Sequence, residues 1–105
     1  MSKVFSNENE FQQAVNNDLK QLHIKFKHDE AGRSGNKTHR KGWPDLTVYP
    51  GHNRAFFVEL KMPNKDLRPD QKEFRNWCVT TGYHFYVIYS WTDWELVKKM
   101  EGLFK

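Results

Sequence analysis

Cysteine is nearly absent from this chain: Cys78 is the only one in 105 residues. An intramolecular disulfide and a cysteine-rich zinc site within one copy are therefore excluded, which fits a reducing compartment. Long apolar runs are lacking too, and no stretch approaches the roughly 20 residues that a membrane span requires. The opening Met1-Ser2-Lys3-Val4-Phe5-Ser6 has no apolar segment of the signal-peptide kind. The expectation is a soluble cytoplasmic protein without a membrane partner. Internal repeats, linkers and low-complexity tracts are missing, and the length suits one domain over residues 1–105. The histidines His23, His28, His39, His52 and His84 show no zinc-ligand spacing.

What the chain does have is charge and aromatic rings. Seventeen Lys and Arg against thirteen Asp and Glu give a net charge of +4, a weak preference for a polyanionic partner. Eight Phe, four Trp and four Tyr supply a core despite low mean hydropathy.

The apolar pattern predicts seven elements. Residues 8–22 carry Phe11, Val15, Leu19 and Leu22 at helical spacing, with Asn7 and Glu10 placed as a capping box. His23-Ile24-Lys25-Phe26-Lys27-His28 alternates as a strand with one wet face. Residues 29–42 read as a glycine-containing loop, long enough to suggest binding. The β-rich runs Leu46–Tyr49 and Ala55–Val58 flank the turn Pro50-Gly51-His52-Asn53 as an antiparallel hairpin. Pro69 suits the start of a helix carrying Phe74, Trp77 and Cys78, with Thr81 a further candidate, stopped by Gly82. Tyr83–Tyr89 reads as a strand. Ser90 and Asp93 then begin a last helix with Leu96, Val97 and Met100 inward. The strand-helix-strand run implies a parallel crossover, hence an α/β fold with a central mixed sheet of about four strands flanked by helices.

Chemistry concentrates on the hairpin. If it is symmetric about His52, Asp45 lies opposite Glu59, and two like charges across a strand pair are destabilising unless a cation neutralises them. A register slip of one residue would send the two carboxylates to opposite faces. Glu59 and Lys61 share a face because they are two apart, and they end an apolar run where charges without a purpose are costly. Hard carboxylate oxygens suit Mg²⁺ or Mn²⁺, which polarise a phosphoryl oxygen and lower the pKa of bound water. Lys61 is placed to orient an attacking water and stabilise developing charge. The bland alternative is a surface salt bridge between Glu59 and Lys61 with Asp45 as a turn residue.

These residues also carry a resemblance. Gly42-Trp43-Pro44-Asp45, Phe57-Val58-Glu59-Leu60-Lys61 and Leu67-Arg68-Pro69-Asp70-Gln71 resemble the PD-(D/E)XK nuclease superfamily, and within it the virus-type replication-repair nuclease (VRR-NUC) domain, found in short stand-alone phage and bacterial proteins. The resemblance implies a restriction-endonuclease-like core in a bacterial cell or phage-infected host. It further implies that Asp45 and Glu59 hold metal, that Lys61 is catalytic, that Gln71 belongs to the motif, and that the Leu60 carbonyl is a further ligand. An acidic residue of the first helix is also implied. Glu8 shares the inward face of Phe11 and Val15 and is preferred, whereas Glu10 is explained as the capping partner of Asn7. Trp43 and Arg68 depart from the commoner pattern of the family.

The implied activity is a metal-dependent, structure-selective DNA endonuclease leaving 5′-phosphate ends, without a small-molecule cofactor. Lys25, Lys27, Arg33, Lys37, Arg40 and Lys41 lie upstream of Asp45, and of these Arg33, Lys37, Arg40 and Lys41, with Arg68, are candidate DNA contacts. Branched DNA such as a Holliday junction, met by a homodimer, is the expected substrate. The aromatic tail Trp91, Trp94 and Phe104 is the feature that suggests an interface. The alternative is a non-catalytic DNA-binding module on a nuclease-like fold.

Overall fold

Asn7 ends an extended N-terminal stretch: its side-chain oxygen accepts the Glu10 N–H at 2.9 Å, starting helix α1, Glu8–Gln21. Glu10 reaches back to the Ser6 N–H and not to Asn7, so the capping box closes one residue earlier than expected. The structure, a computed structural model, describes residues 3–29 and 42–103. Strands β1 (Lys25–His28), β2 (Leu46–Gly51) and β3 (Arg54–Leu60), helix α2 (Pro69–Thr81), strand β4 (His84–Ile88) and helix α3 (Trp91–Glu101) complete the order α-β-β-β-α-β-α. β1 begins two residues later than expected, because His23 turns the chain at φ 58° and gives its N–H to the Lys20 carbonyl.

The four strands lie in the order β1-β2-β3-β4. β1, β2 and β3 pair antiparallel, and β4 joins β3 in parallel. The expected mixed sheet follows, since a parallel neighbour needs a crossover and α2 provides it.

Period-two alternation divides the sheet's faces. Leu46, Val48, Phe56, Val58, Leu60 and Ile88 pack with Phe11, Val15 and Leu19 of α1 and with Trp91, Trp94 and Val97 of α3. The other face carries Phe57, which meets Phe74 of α2 at 5.1 Å between centroids, while Phe85 lies 6.0 Å from the same ring. α2 thus buries Phe74 partly and Cys78 fully. Trp77 and Thr81, expected inward, are exposed; Trp77 lies at the edge of the helix's packed face, stacked on Tyr83.

The last helix also corrects its reading. Val97 is buried, but Leu96 and Met100 are exposed, and the inward stripe runs through Trp91, Trp94, Val97, Lys98 and Glu101. Two charged residues occupy it because each is paired, as buried charge requires. Lys98 meets Asp18 at 2.7 Å and Glu95 at 2.8 Å. Glu101 accepts from Arg54 and from Tyr86, and meets His84 Nδ1 at 2.6 Å. Trp91 and Trp94 are core residues, with the Trp94 indole N–H on Asp18 at 2.8 Å. They form no exposed patch for a second copy, and Phe104 lies outside the described residues.

Candidate active site

The β2–β3 hairpin turns at His52 and Asn53, whose φ values of 58° and 59° match the two left-handed positions of a type I′ turn. Carried down the strands without interruption, the Gly51–Arg54 pairing at that turn would set Asp45 opposite Leu60. An irregularity between Val48 and Gly51 absorbs one residue, and beyond it Val48 pairs with Phe56, Thr47 with Phe57 and Leu46 with Val58. Pro50 stands in this interval, where a residue without an N–H does least harm to the ladder. The next step of that register sets Asp45 against Glu59, the arrangement that symmetry about His52 predicts.

Asp45 and Glu59 lie at the floor of a cleft of about 340 Å³. Asp45 Oδ2 accepts the Leu60 N–H at 2.8 Å, fixing the carboxylate across the strand end. Glu59 is 3% exposed. Burial pushes the Glu59 carboxyl up to about 8, and the neighbouring Asp45 charge adds to it. Burial likewise raises Asp45 to about 6, against the lowering effect of the Leu60 N–H, with the charge of Glu8 contributing in the same direction as burial. Glu59 thus keeps its proton to higher pH than Asp45. Without a cation, the pair cannot hold both charges at neutral pH.

Lys61 continues the ladder past β3 by giving its N–H to the Ile88 carbonyl at 3.0 Å. Its ammonium stands 3.8 Å from Glu59 Oε2, and both side chains are almost fully enclosed. Gln71, in the first turn of α2, uses both ends of its amide: Oε1 accepts the Arg68 N–H at 2.9 Å and Nε2 donates to Glu59 Oε2 at 2.9 Å. One side chain therefore caps the helix and orients the carboxylate. Gln71→Met keeps the volume and loses both bonds, and is expected to lower metal affinity or cleavage by about 10- to 100-fold. Calorimetric Mg²⁺ titration beside a turnover assay measures it, and unchanged values would remove Gln71 from the site.

Gly42 lets the chain reach Asp45 past this helix. Its φ is +86°, and a Cβ there would stand 2.7 Å from the Asp70 carbonyl oxygen. Gly42→Ala is expected to cost about 1–3 kcal/mol from backbone strain alone, read as a fall in the urea midpoint; an unchanged midpoint would contradict it.

The other predicted residues fall into three groups. Glu8 is exposed and lines the same cleft, and its charge is felt by both Asp45 and Glu59. Glu10 is engaged with Ser6. Among the described residues, however, no three His, Cys, Asp or Glu side chains gather closely enough to form a metal cluster by themselves. Arg68 lines the cleft and pairs with Asp70 at 3.4 Å. Arg33, Lys37, Arg40 and Lys41 lie outside the described residues. The Leu60 side chain is buried in the core, and its backbone is tied to Asp45.

Some lining residues were not singled out from the pattern. His28 and Asp29 close the cleft from the end of β1. Gln12 also lines the cleft and donates to Asn16 at 2.9 Å, and Asn16 meets His28 Nδ1 at 3.3 Å. The only signal in the chain for His28 was its place at the end of an alternating run.

Two opposed carboxylates with hard oxygen donors, Glu59 buried and Asp45 partly so, fit a divalent cation of the Mg²⁺ or Mn²⁺ kind, which Asp45 and Glu59 would hold. Comparison with known proteins agrees with the architecture. The family model of the VRR-NUC domain matches residues 3–91. A solved structure described as a VRR_NUC domain superposes with a TM-score of 0.68 at 22% identity, covering 87% of this chain and 94% of that one. A second, described as a VRR_NUC domain protein, gives 0.70 at 22% identity, covering 94% and 91%. No curated protein matches. With the family model matching every element but the last helix, on the fold that the solved VRR_NUC domains share, the chain belongs to the VRR-NUC nuclease family.

Proposed function

We propose that this protein is a divalent-metal-dependent DNA endonuclease acting on branched DNA, with Asp45, Glu59 and Lys61 as its catalytic centre. The observation that carries the reading is the opposed pair of partly buried Asp45 and buried Glu59, raised to about 6 and about 8, with the Lys61 ammonium beside it. Such an arrangement is costly in a resting protein and becomes favourable when a cation balances the charge.

A Mg²⁺ or Mn²⁺ ion bound here supplies Lewis-acid polarisation of a phosphoryl oxygen and a nucleophilic water at neutral pH. Asp45 and Glu59 hold it, and Glu8 adds negative charge from the rim of the cleft. Lys61 Nζ orients the attacking water and stabilises charge on the phosphate as the bond breaks. Gln71 keeps Glu59 turned toward the reaction. Arg68 reaches a phosphate from the helix start. Arg33, Lys37, Arg40 and Lys41 extend the basic contacts.

A homodimer is proposed, since a two-fold pair of sites would match the symmetry of a four-way junction. Labelled four-way junction, flapped duplex, plain duplex and single-stranded DNA are incubated with Mg²⁺ or Mn²⁺ and wild type, Glu59→Ala or Lys61→Ala. Wild type is expected to cleave branched DNA, and Lys61→Ala to lose about 10²- to 10³-fold. Equal cleavage by all three proteins, or none by wild type under either metal, defeats the enzyme reading in favour of a DNA-binding module. Sedimentation showing only monomers that still cleave junctions symmetrically defeats the dimer.

A further inference from the structure

The catalytic cleft does not end at Asp45. It shares Trp43 and Asp29 with a second groove of about 460 Å³. That groove runs along the sheet face that carries the carboxylates and is lined by Lys27, Thr47, Tyr49, Phe57, Trp77 and Tyr83 among others. The continuity is built into the register. Thr47 and Tyr49 follow Asp45 at two and four residues, which places Tyr49 about 13 Å from it along the strand. Lys27 pairs with Thr47 and Lys25 with Tyr49, so both lysines share that face with them.

Among the described residues, helix α2 covers the β3–β4 half of this face, through Phe74 on Phe57 and Phe85. On the β1–β2 half Lys25, Lys27 and Tyr49 are exposed. Across the groove Trp77 and Tyr83 stack on one another at 5.4 Å and 21°, yet remain 46% and 43% exposed. Three half-exposed aromatic rings beside two lysines, in a channel leading from the catalytic carboxylates, match what binds unpaired nucleotides: rings for the flat faces of bases, cations for the phosphates between them. A duplex offers no such faces, because its bases are stacked on each other.

We propose that this groove binds unpaired nucleotides of the DNA substrate a few positions from the bond that is cut, with bases on Tyr49, Trp77 and Tyr83 and phosphates on Lys25 and Lys27. The proposal rests on the nuclease reading above and adds to it a preference, among branched substrates, for branch points that carry unpaired nucleotides, such as flaps, gaps and forks, over fully paired four-way junctions.

Binding, measured without cleavage, separates the two claims. Wild-type protein in chelator is titrated by fluorescence anisotropy onto a duplex with a short unpaired arm and onto the matching blunt duplex, with 2-aminopurine placed in the arm. The armed duplex is expected to bind more tightly, with 2-aminopurine emission quenched. Tyr49→Ala and Trp77→Ala should each weaken the armed duplex by about 5- to 100-fold while leaving the blunt duplex unaffected, and Trp77→Ala should lessen the quenching. Tyr49→Phe keeps the ring and should bind as wild type. Among the described residues Tyr49 makes no ring contact, and it is exposed, so its substitution tests the surface and not the fold. Equal losses on both duplexes, or no loss in either variant, overturn the proposal. So does sedimentation showing that these variants break up a dimer that wild type forms, since the groove would then be an interface between copies. If wild type cleaves no DNA, the nuclease reading fails while these binding results still judge the groove.

Discussion

Glu59→Gln is expected to lower metal-dependent cleavage by at least about 10³-fold, about 4 kcal/mol of transition-state stabilisation, while leaving the protein at least as stable as wild type in chelator. Glutamine has the shape of a protonated glutamic acid, and burial already keeps Glu59 protonated to about pH 8 when no cation is present. The Gln71 Nε2 donor at 2.9 Å still finds a carbonyl oxygen. What glutamine cannot do is give up a proton and hold a cation. The variant should therefore melt no lower than wild type in chelator and lose the rise in melting temperature that millimolar Mg²⁺ gives wild type. Turnover assays and thermal melts with and without Mg²⁺ measure both. A variant that keeps near wild-type cleavage would remove Glu59 from the catalytic centre, and one that melts far lower in chelator would make its role structural.

Stability and metal binding should respond to pH in opposite senses between pH 6 and 8. Asp45 and Glu59 are acids whose folded-state values, about 6 and about 8, stand above the roughly 4 of an unfolded chain. The folded state thus binds protons more tightly, so the stability this pair contributes is fully present below about pH 4 and falls as pH rises through about 6 and then about 8. Glu101 works the other way: its hydrogen bonds from Tyr86, His84 and Arg54 outweigh burial and hold its carboxyl below the usual range. Its contribution is present above the unfolded value and lost as pH falls through the lower folded one. Its effect is confined to acid and stays out of the pH 6–8 window.

A cation held between Asp45 and Glu59 would displace the proton that Glu59 keeps up to about pH 8. Apparent Mg²⁺ affinity is accordingly expected to tighten by up to about tenfold per pH unit for each proton released over this range. Calorimetry at pH 6, 7 and 8, in buffers of different ionisation heat, counts the protons directly. Affinity independent of pH, with no proton release, would show that the cation does not sit between these two carboxylates. Added Mg²⁺ should also flatten the fall in stability toward pH 8.

Much of the site was legible because period-two alternation is a strict rule. Once Phe56–Lys61 is taken as a strand, Glu59 and Lys61 must share a face and Val58 and Leu60 must take the other. The pairing of Asp45 with Glu59 was less secure from the chain alone, since it depends on one residue of register. A two-residue turn at His52 and Asn53 favours the wrong pairing, and only the irregularity around Pro50 restores the productive one.

Helix faces were read less well. In α3 the rule that apolar residues point inward put Leu96 and Met100 in the core. Asp18, Arg54, His84 and Tyr86, all distant in the chain, instead make it favourable to bury Lys98 and Glu101. In α2 the same rule placed Trp77 inward, where the structure leaves it on a groove.

The sequence by itself determined the seven elements, the mixed sheet, the split of β3 into an apolar and a chemical face, and the family to which the residues of that face point. These follow from local periodicity, turn chemistry and spacing, which act over a few residues. Only the tertiary structure decided that Glu59 is buried deeply enough, beside a partly buried Asp45, to hold its proton, that the Gln71 amide ties α2 to Glu59, and that an aromatic groove continues the cleft. Desolvation, a bond between elements twelve residues apart and the open half of a sheet face depend on what packs against what, and no local pattern encodes that.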